Sequence, residues 1–101
     1  MKVRWTVAAS QDRAEIIDYI AEENPRAALK MDELFSGAAA KLADFPMLGH
    51  VGKIPGTREL FPHESYRLVY EVSDETVWVL ALVHSARLWP SPQRKSSPPT
   101  K

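Results

Sequence analysis

The stretch YRLVYEVSDETVWVLALVHSARLWP, Tyr66 to Pro90, decides how the rest of the chain is read. Tyr66 to Val72 alternates, the period of a half-buried strand. SDET, Ser73 to Thr76, is turn chemistry, and Val77 to Val83 is apolar without a break. Such a run reads as a strand buried on both faces, and so central in its sheet. The expected hairpin has Asp74 and Glu75 at the turn centre. Val72 then faces Val77, Tyr70 faces Val79, Leu68 faces Ala81 and Tyr66 faces Val83, an apolar face throughout. The other face carries Arg67, Val69 and Glu71 beside Trp78, Leu80, Leu82 and His84. In this register Arg67 pairs with Leu82, and His84 is its diagonal neighbour, within reach of a long side chain. A slip of one residue would exchange the faces of all that follows.

Upstream, TRELF (Thr57 to Phe61) reads as a strand ending at Pro62. Pro46 to Gly56 is a loop punctuated by Gly49, Gly52, Pro55 and Gly56. Before it, Ala28, Met31, Phe35, Ala38, Leu42 and Phe45 recur at three- and four-residue steps, a helical face closed by Pro46. Asn24-Pro25 ends one helix and starts this one. The earlier helix shows a stripe of Ala9, Arg13, Ile16, Ile17 and Ile20, with Ser10 as the expected N-cap and Asp12 in the first turn. Val3 to Val7 is a first strand. Gly37 predicts a close approach of its helix to a neighbour, because Gly within a helix costs about 1 kcal/mol against Ala. Helices joined by so short a link form an antiparallel hairpin. The order is β-α-α-β-β-β. The fold class expected is α+β, with an N-terminal helical hairpin packed on one face of a mostly antiparallel four-stranded sheet. Residues 1–90 form one domain. Residues 91–101, SPQRKSSPPTK, lack large apolar side chains and are expected to be a disordered tail.

Bulk properties narrow the function. The chain has 101 residues, enough for one domain. It has no cysteine, which excludes disulfides, thiolate nucleophiles and cysteine metal sites and suits a reducing cytoplasm. No apolar run approaches membrane-spanning length. Thirteen basic residues balance thirteen acidic ones, whereas a protein built to hold a phosphate backbone carries a basic excess. No phosphate loop, metal-ligand cluster or Ser-His-Asp arrangement is present, so neither metal nor cofactor is expected.

Three residues carry candidate chemistry. His84 can act as acid or base near neutral pH. Arg67 and Arg87 can hold a phosphate or a charged transition state. Lys53, Arg58 and Trp89 are candidate target- or RNA-binding residues, with His50 in the same loop as Lys53. Each has an ordinary structural role open to it as well. Trp78, Leu80 and Leu82 are too apolar for a bare face, and a partner chain, the tail or a target is expected to cover them.

These elements, in this order and spacing over residues 3 to 90, resemble the RelE/ParE superfamily, toxins of bacterial type II toxin–antitoxin modules. The resemblance rests on the helical hairpin from SQDRAEIIDY to KLADFP, on PGTRELF, on YRLVYEVSDE and on the closing VHSARLWP, similar to the superfamily's H-x-x-R ending. It implies a growth inhibitor neutralised by a cognate antitoxin in a hetero-oligomer, with Trp78, Leu80 and Leu82 in the antitoxin contact. RelE-like members cleave mRNA on the ribosome without a metal; ParE-like members inhibit DNA gyrase by protein contact. Arg67, His84 and Arg87 match positions the nucleases use. The lysine group before the second strand is reduced here to Lys53, and the C-terminal catalytic Tyr is replaced by Leu88-Trp89-Pro90. With zero net charge, these departures favour the ParE-like plasmid-stabilisation branch over an mRNA interferase. A non-toxic interaction module is the alternative from another class.

Overall fold

The computed structural model describes residues 1–87, 89 and 90. The tail expected from Ser91 onward lies outside the described residues. The chain runs β1 (Lys2–Trp5), α1 (Val7–Glu23), α2 (Pro25–Asp44), β2 (His50–Val51), β3 (Arg58–His63), β4 (Tyr66–Ser73) and β5 (Thr76–His84). The α+β reading holds, with one addition. The two-residue β2 lies inside the expected loop and makes a five-stranded sheet, in the order β1-β5-β4-β3-β2. β1 pairs with β5 in parallel and the other pairings are antiparallel. β5 is therefore interior, as its apolar run requires.

The helices begin and end for local reasons. Thr6, not Ser10, caps α1: its hydroxyl accepts from the Ala9 amide at 3.1 Å. The same hydroxyl donates toward the Val79 carbonyl at 3.1 Å, and the Thr6 amide donates to that carbonyl at 3.0 Å. One residue thus ends β1, starts α1 and ties both to β5. With the start moved to Val7, Asp12 lies beyond the first turn, contrary to expectation. Asn24 closes α1 and caps α2, its side chain accepting from the Ala27 amide at 3.0 Å ahead of Pro25. Arg13 joins the helices, its Nε donating to Asp32 Oδ1 at 2.7 Å and its guanidinium lying 4.8 Å from the Trp5 ring.

The core lies between the helices and one sheet face. Ala9, Phe35, Ala39 and Leu42 pack on Leu68, Tyr70, Val77, Val79 and Leu82. Two expectations about α2 fail. Phe45 follows the helix and is exposed, because the chain turns at Phe45-Pro46 and its side chain leaves the apolar stripe. Gly37 is also exposed, with nothing within 4 Å of where a Cβ would stand, so no neighbour dictates glycine there.

The hairpin register is right near its turn and wrong beyond it. Asp74 takes the positive φ of 56° that the tight turn needs, a conformation Asp tolerates. Val72 faces Val77 and Tyr70 faces Val79, as expected. Leu80 is then an extra residue in β5, a bulge, after which Val69 faces Ala81, Leu68 faces Leu82, Arg67 faces Val83 and Tyr66 faces His84. Every later side chain of β5 changes face. Leu82 and His84 turn toward the helices, and Ala81 and Val83 turn away. β3 carries a matching irregularity between Leu60 and His63, the stretch holding Pro62.

Candidate functional site

The bulge separates the expected catalytic residues. Arg67 lies on the sheet face away from the helices; His84 lies on the helix side, edge-on to Tyr66 with ring centres 5.3 Å apart. The two are not the diagonal neighbours that the simple register predicted. The same shift breaks the proposed antitoxin face. Leu82 is buried in the helix-side core, Trp78 remains on the far face opposite Glu71, and Leu80 is the bulge residue. The far face is covered within the chain, where Trp89 and Ile54 pack on Val69, Ala81 and Val83.

Arg67 is enclosed. Its side chain is only 13% exposed and stands over the Phe61 ring at 5.6 Å. Nη1 lies 3.5 Å from Oε1 of Glu59, itself 4% exposed. Arg67 Nε and Nη1 are buried and make no hydrogen bond. Glu59 Oε2 in turn accepts from the Lys53 amide at 3.2 Å. Sequence reading passed over Glu59, although a carboxylate two residues before Phe61 in a strand beside an Arg-bearing strand was a signal for this ion pair.

Arg58 is also engaged in the fold. Its Nη1 donates to the Gly49 carbonyl at 2.7 Å. The buried Tyr70 hydroxyl holds the same loop, donating to the Pro46 carbonyl at 2.7 Å and accepting from the Gly49 amide at 2.9 Å. A Cβ at Gly49 would stand 2.6 Å from the Glu59 carbonyl oxygen and 2.9 Å from the Tyr70 ring, so this close approach requires glycine. Lys53 is exposed on the loop, and Trp89 is buried against the sheet rather than presented for stacking.

Among the described residues, two grooves stand open beside the helices. One, about 210 Å³, runs between α2 and β3, lined by Leu34, Gly37, Ala38, Leu48, Leu60 and Phe61. Its rim carries half-exposed apolar side chains, Leu34 at 44%, Leu48 at 49% and Phe61 at 43%, beside the charged Glu33 and Lys41. The other, about 810 Å³, lies between α1 and the end of β5, and here His84 and Arg87 do share a wall. Asp12 reaches into the junction, its Oδ2 accepting from the Leu82 amide at 3.0 Å. Tyr66 stands in this groove with its pKa raised above 10.0, first by burial and then by the phenol of Tyr19. No group of His, Asp, Glu or Cys among the described residues is arranged to hold a metal. No helix among them is long and apolar enough to cross a membrane.

Residues 3–89 match the family model for the ParE toxin of the type II toxin–antitoxin system parDE. The putative toxin Y4kP of Sinorhizobium fredii is 33% identical over 90 residues, covering 88% of this chain and 93% of that protein. Toxin RelE2 of Caulobacter vibrioides is 36% identical over 87 residues, covering 86% and 98%. Among solved structures, the chromosomal ParDE system from P. aeruginosa superposes with a TM-score of 0.74 at 22% identity, covering 83% of this chain and 95% of that one. A YoeB/ParE toxin from Agrobacterium tumefaciens gives 0.61 at 18% identity, covering 83% and 98%. The structural matches speak to the fold, while the family model and the sequence relatives carry the assignment. The chain belongs to the ParE toxin family of type II toxin–antitoxin systems.

Proposed function

We propose that this toxin acts by contact, inhibiting DNA gyrase through protein–protein binding rather than by cutting RNA. The observation that carries this reading is the separation of Arg67 from His84 across the sheet, with Arg67 held against Glu59. A metal-free nuclease needs its proton-transfer group and its cations converging on one phosphate. Here Arg67 serves a buried ion pair and Arg58 a loop. Gyrase as the target comes from the resemblance to ParE-like members. Membership in the family implies a cognate antitoxin. The α2–β3 groove, with three half-exposed apolar side chains on its rim, suits that contact better than the Trp78, Leu80 and Leu82 set.

A ribosome-dependent endoribonuclease is the second reading, favoured by one observation: His84, Arg87 and Tyr66 line one groove. The readings separate on His84→Ala and Arg87→Ala, both at exposed positions where the fold tolerates change. Under the contact reading, folded His84→Ala still stops growth on induction and no mRNA is cut. If His84→Ala and Arg87→Ala both fold and both abolish toxicity together with mRNA cleavage, the nuclease reading replaces it.

A further inference from the structure

Two turns lie side by side at one end of the sheet, and each opens on a histidine. His63 ends β3, and the turn Glu64-Ser65 returns the chain to Tyr66 in β4. His84 ends β5 and opens the turn to Arg87, whose amide donates to the His84 carbonyl at 2.9 Å. In both turns the ring Nδ1 accepts from the backbone amide two residues on. Ser65 donates to His63 at 3.0 Å, and Ala86 donates to His84 at 3.1 Å. A backbone N–H can only donate, so each neutral ring carries its proton on Nε2. The turns are joined, because the Ser85 amide donates to the Ser65 carbonyl at 2.7 Å. Tyr66 neighbours both rings, with ring centres 6.3 Å from His63 and 5.3 Å from His84.

This use of Nδ1 requires a neutral ring. An imidazolium has a proton on both nitrogens, and at Nδ1 that proton would face the amide proton. The remaining histidine is a built-in contrast. His50 Nδ1 lies 3.1 Å from the Val51 carbonyl, a contact that a protonated nitrogen keeps. The charged groups around the two turns are of both signs. Asp12, Glu15 and Arg87 line the groove that His84 shares with Tyr19 and Tyr66. Glu64 follows His63 in its turn, and Glu33 and Lys41 of α2 line the other groove with Pro62.

We propose that His63 and His84 form one acid-released latch. Neutral rings hold both turns closed. Protonation turns each acceptor into a donor and frees the Ser65 and Ala86 amides together. Arg87 closes the second turn, so release reshapes the lip of the α1–β5 groove where His84 and Arg87 stand. The inference goes beyond the contact reading and does not depend on it.

The test is NMR of the isotope-labelled full chain at about pH 7.5 and about pH 5, which bracket the range where imidazole gains its second proton. At the higher pH both rings should read as the Nε2–H form. A nitrogen–nitrogen coupling should cross the Ser65–His63 and Ala86–His84 hydrogen bonds. At the lower pH the couplings should vanish and the Ser65, Ala86 and Arg87 amides should shift, with Val51 moving much less. The His63→Asn/His84→Asn variant keeps both turns, because an Asn side chain accepts the same amide two residues on. It does not titrate, so it should lose the acid response. Nδ1–H rings at the higher pH would overturn the proposal. So would Ser65 and Ala86 amides that stay in place after both rings have titrated. An acid shift of equal size in the double Asn variant, or one spread evenly through the sheet, would overturn it as well.

Discussion

Replacing Tyr70 by Phe removes one oxygen atom and leaves the packing of the ring intact. That oxygen donates to the Pro46 carbonyl at 2.7 Å and accepts from the Gly49 amide at 2.9 Å, from a side chain with no exposed surface. A buried polar group left without a partner costs about 1–3 kcal/mol. Two groups are orphaned here, and slight loop movement lets water reach the Pro46 carbonyl, so the combined cost is about 2–4 kcal/mol. A domain of this size has only about 5–13 kcal/mol of stability in all. Its Tm moves about 4–8 °C per kcal/mol, so a fall of about 8–32 °C is expected. Thermal unfolding followed by circular dichroism measures it, and amide exchange at Gly49 locates it. Because Leu48 lines the α2–β3 groove, the variant should also bind its antitoxin more weakly at a temperature where it is still folded. A Tm change below about 3 °C with the Gly49 amide still protected would refute the idea that this hydroxyl fixes the loop.

Other expectations follow from the same geometry. Glu59→Gln leaves the enclosed Arg67 charge without its counter-charge and should cost about 3 kcal/mol in urea unfolding, while Glu59→Met/Arg67→Met should recover most of that loss. Thr6→Ala removes a helix cap and the hydroxyl tie to β5 and should cost about 1–2 kcal/mol. The raised pKa of Tyr66 makes its contribution to stability complete below pH 10.0 and lost as the pH climbs through the folded-state value. Unfolding midpoints should fall more steeply above that pH in the native chain than in Tyr66→Phe. Leu34→Asp should abolish co-purification with the antitoxin while leaving the Tm within a few degrees, since the side chain is half exposed.

The elements of this fold were legible in the sequence because each is written in local chemistry. Asn24-Pro25, Pro46 and the Ser73–Thr76 turn mark the boundaries, and the stripe from Ala28 to Leu42 marks the buried face of α2. The bulge at Leu80 was not legible. Val77 to Val83 is apolar at every position, so either face assignment buries the same chemistry and alternation gives nothing to count. One weak signal was present: Pro62 in β3 is hard to place in an undisturbed ladder. The candidate site suffered most, because Arg67 and His84 both lie beyond the bulge and their meeting depended on its absence. The cap at Thr6 was missed for a related reason. Ser10 is an equally good cap by type, and only the reach of Thr6 to the Val79 carbonyl chooses between them. Arg58 and Arg67 read as free cations because their partners, the Gly49 carbonyl and Glu59, become neighbours only once β3 pairs with β4 and the loop folds over Tyr70.

Action by contact and action by cleavage part most clearly in a short pulse of expression without the antitoxin, with DNA-damage induction, protein synthesis and mRNA integrity followed in the same culture. For a toxin that acts by contact, the DNA-damage response rises first, with translation initially intact and messages uncut. Immediate arrest of translation with mRNA cut in a ribosome-dependent manner would contradict action by contact.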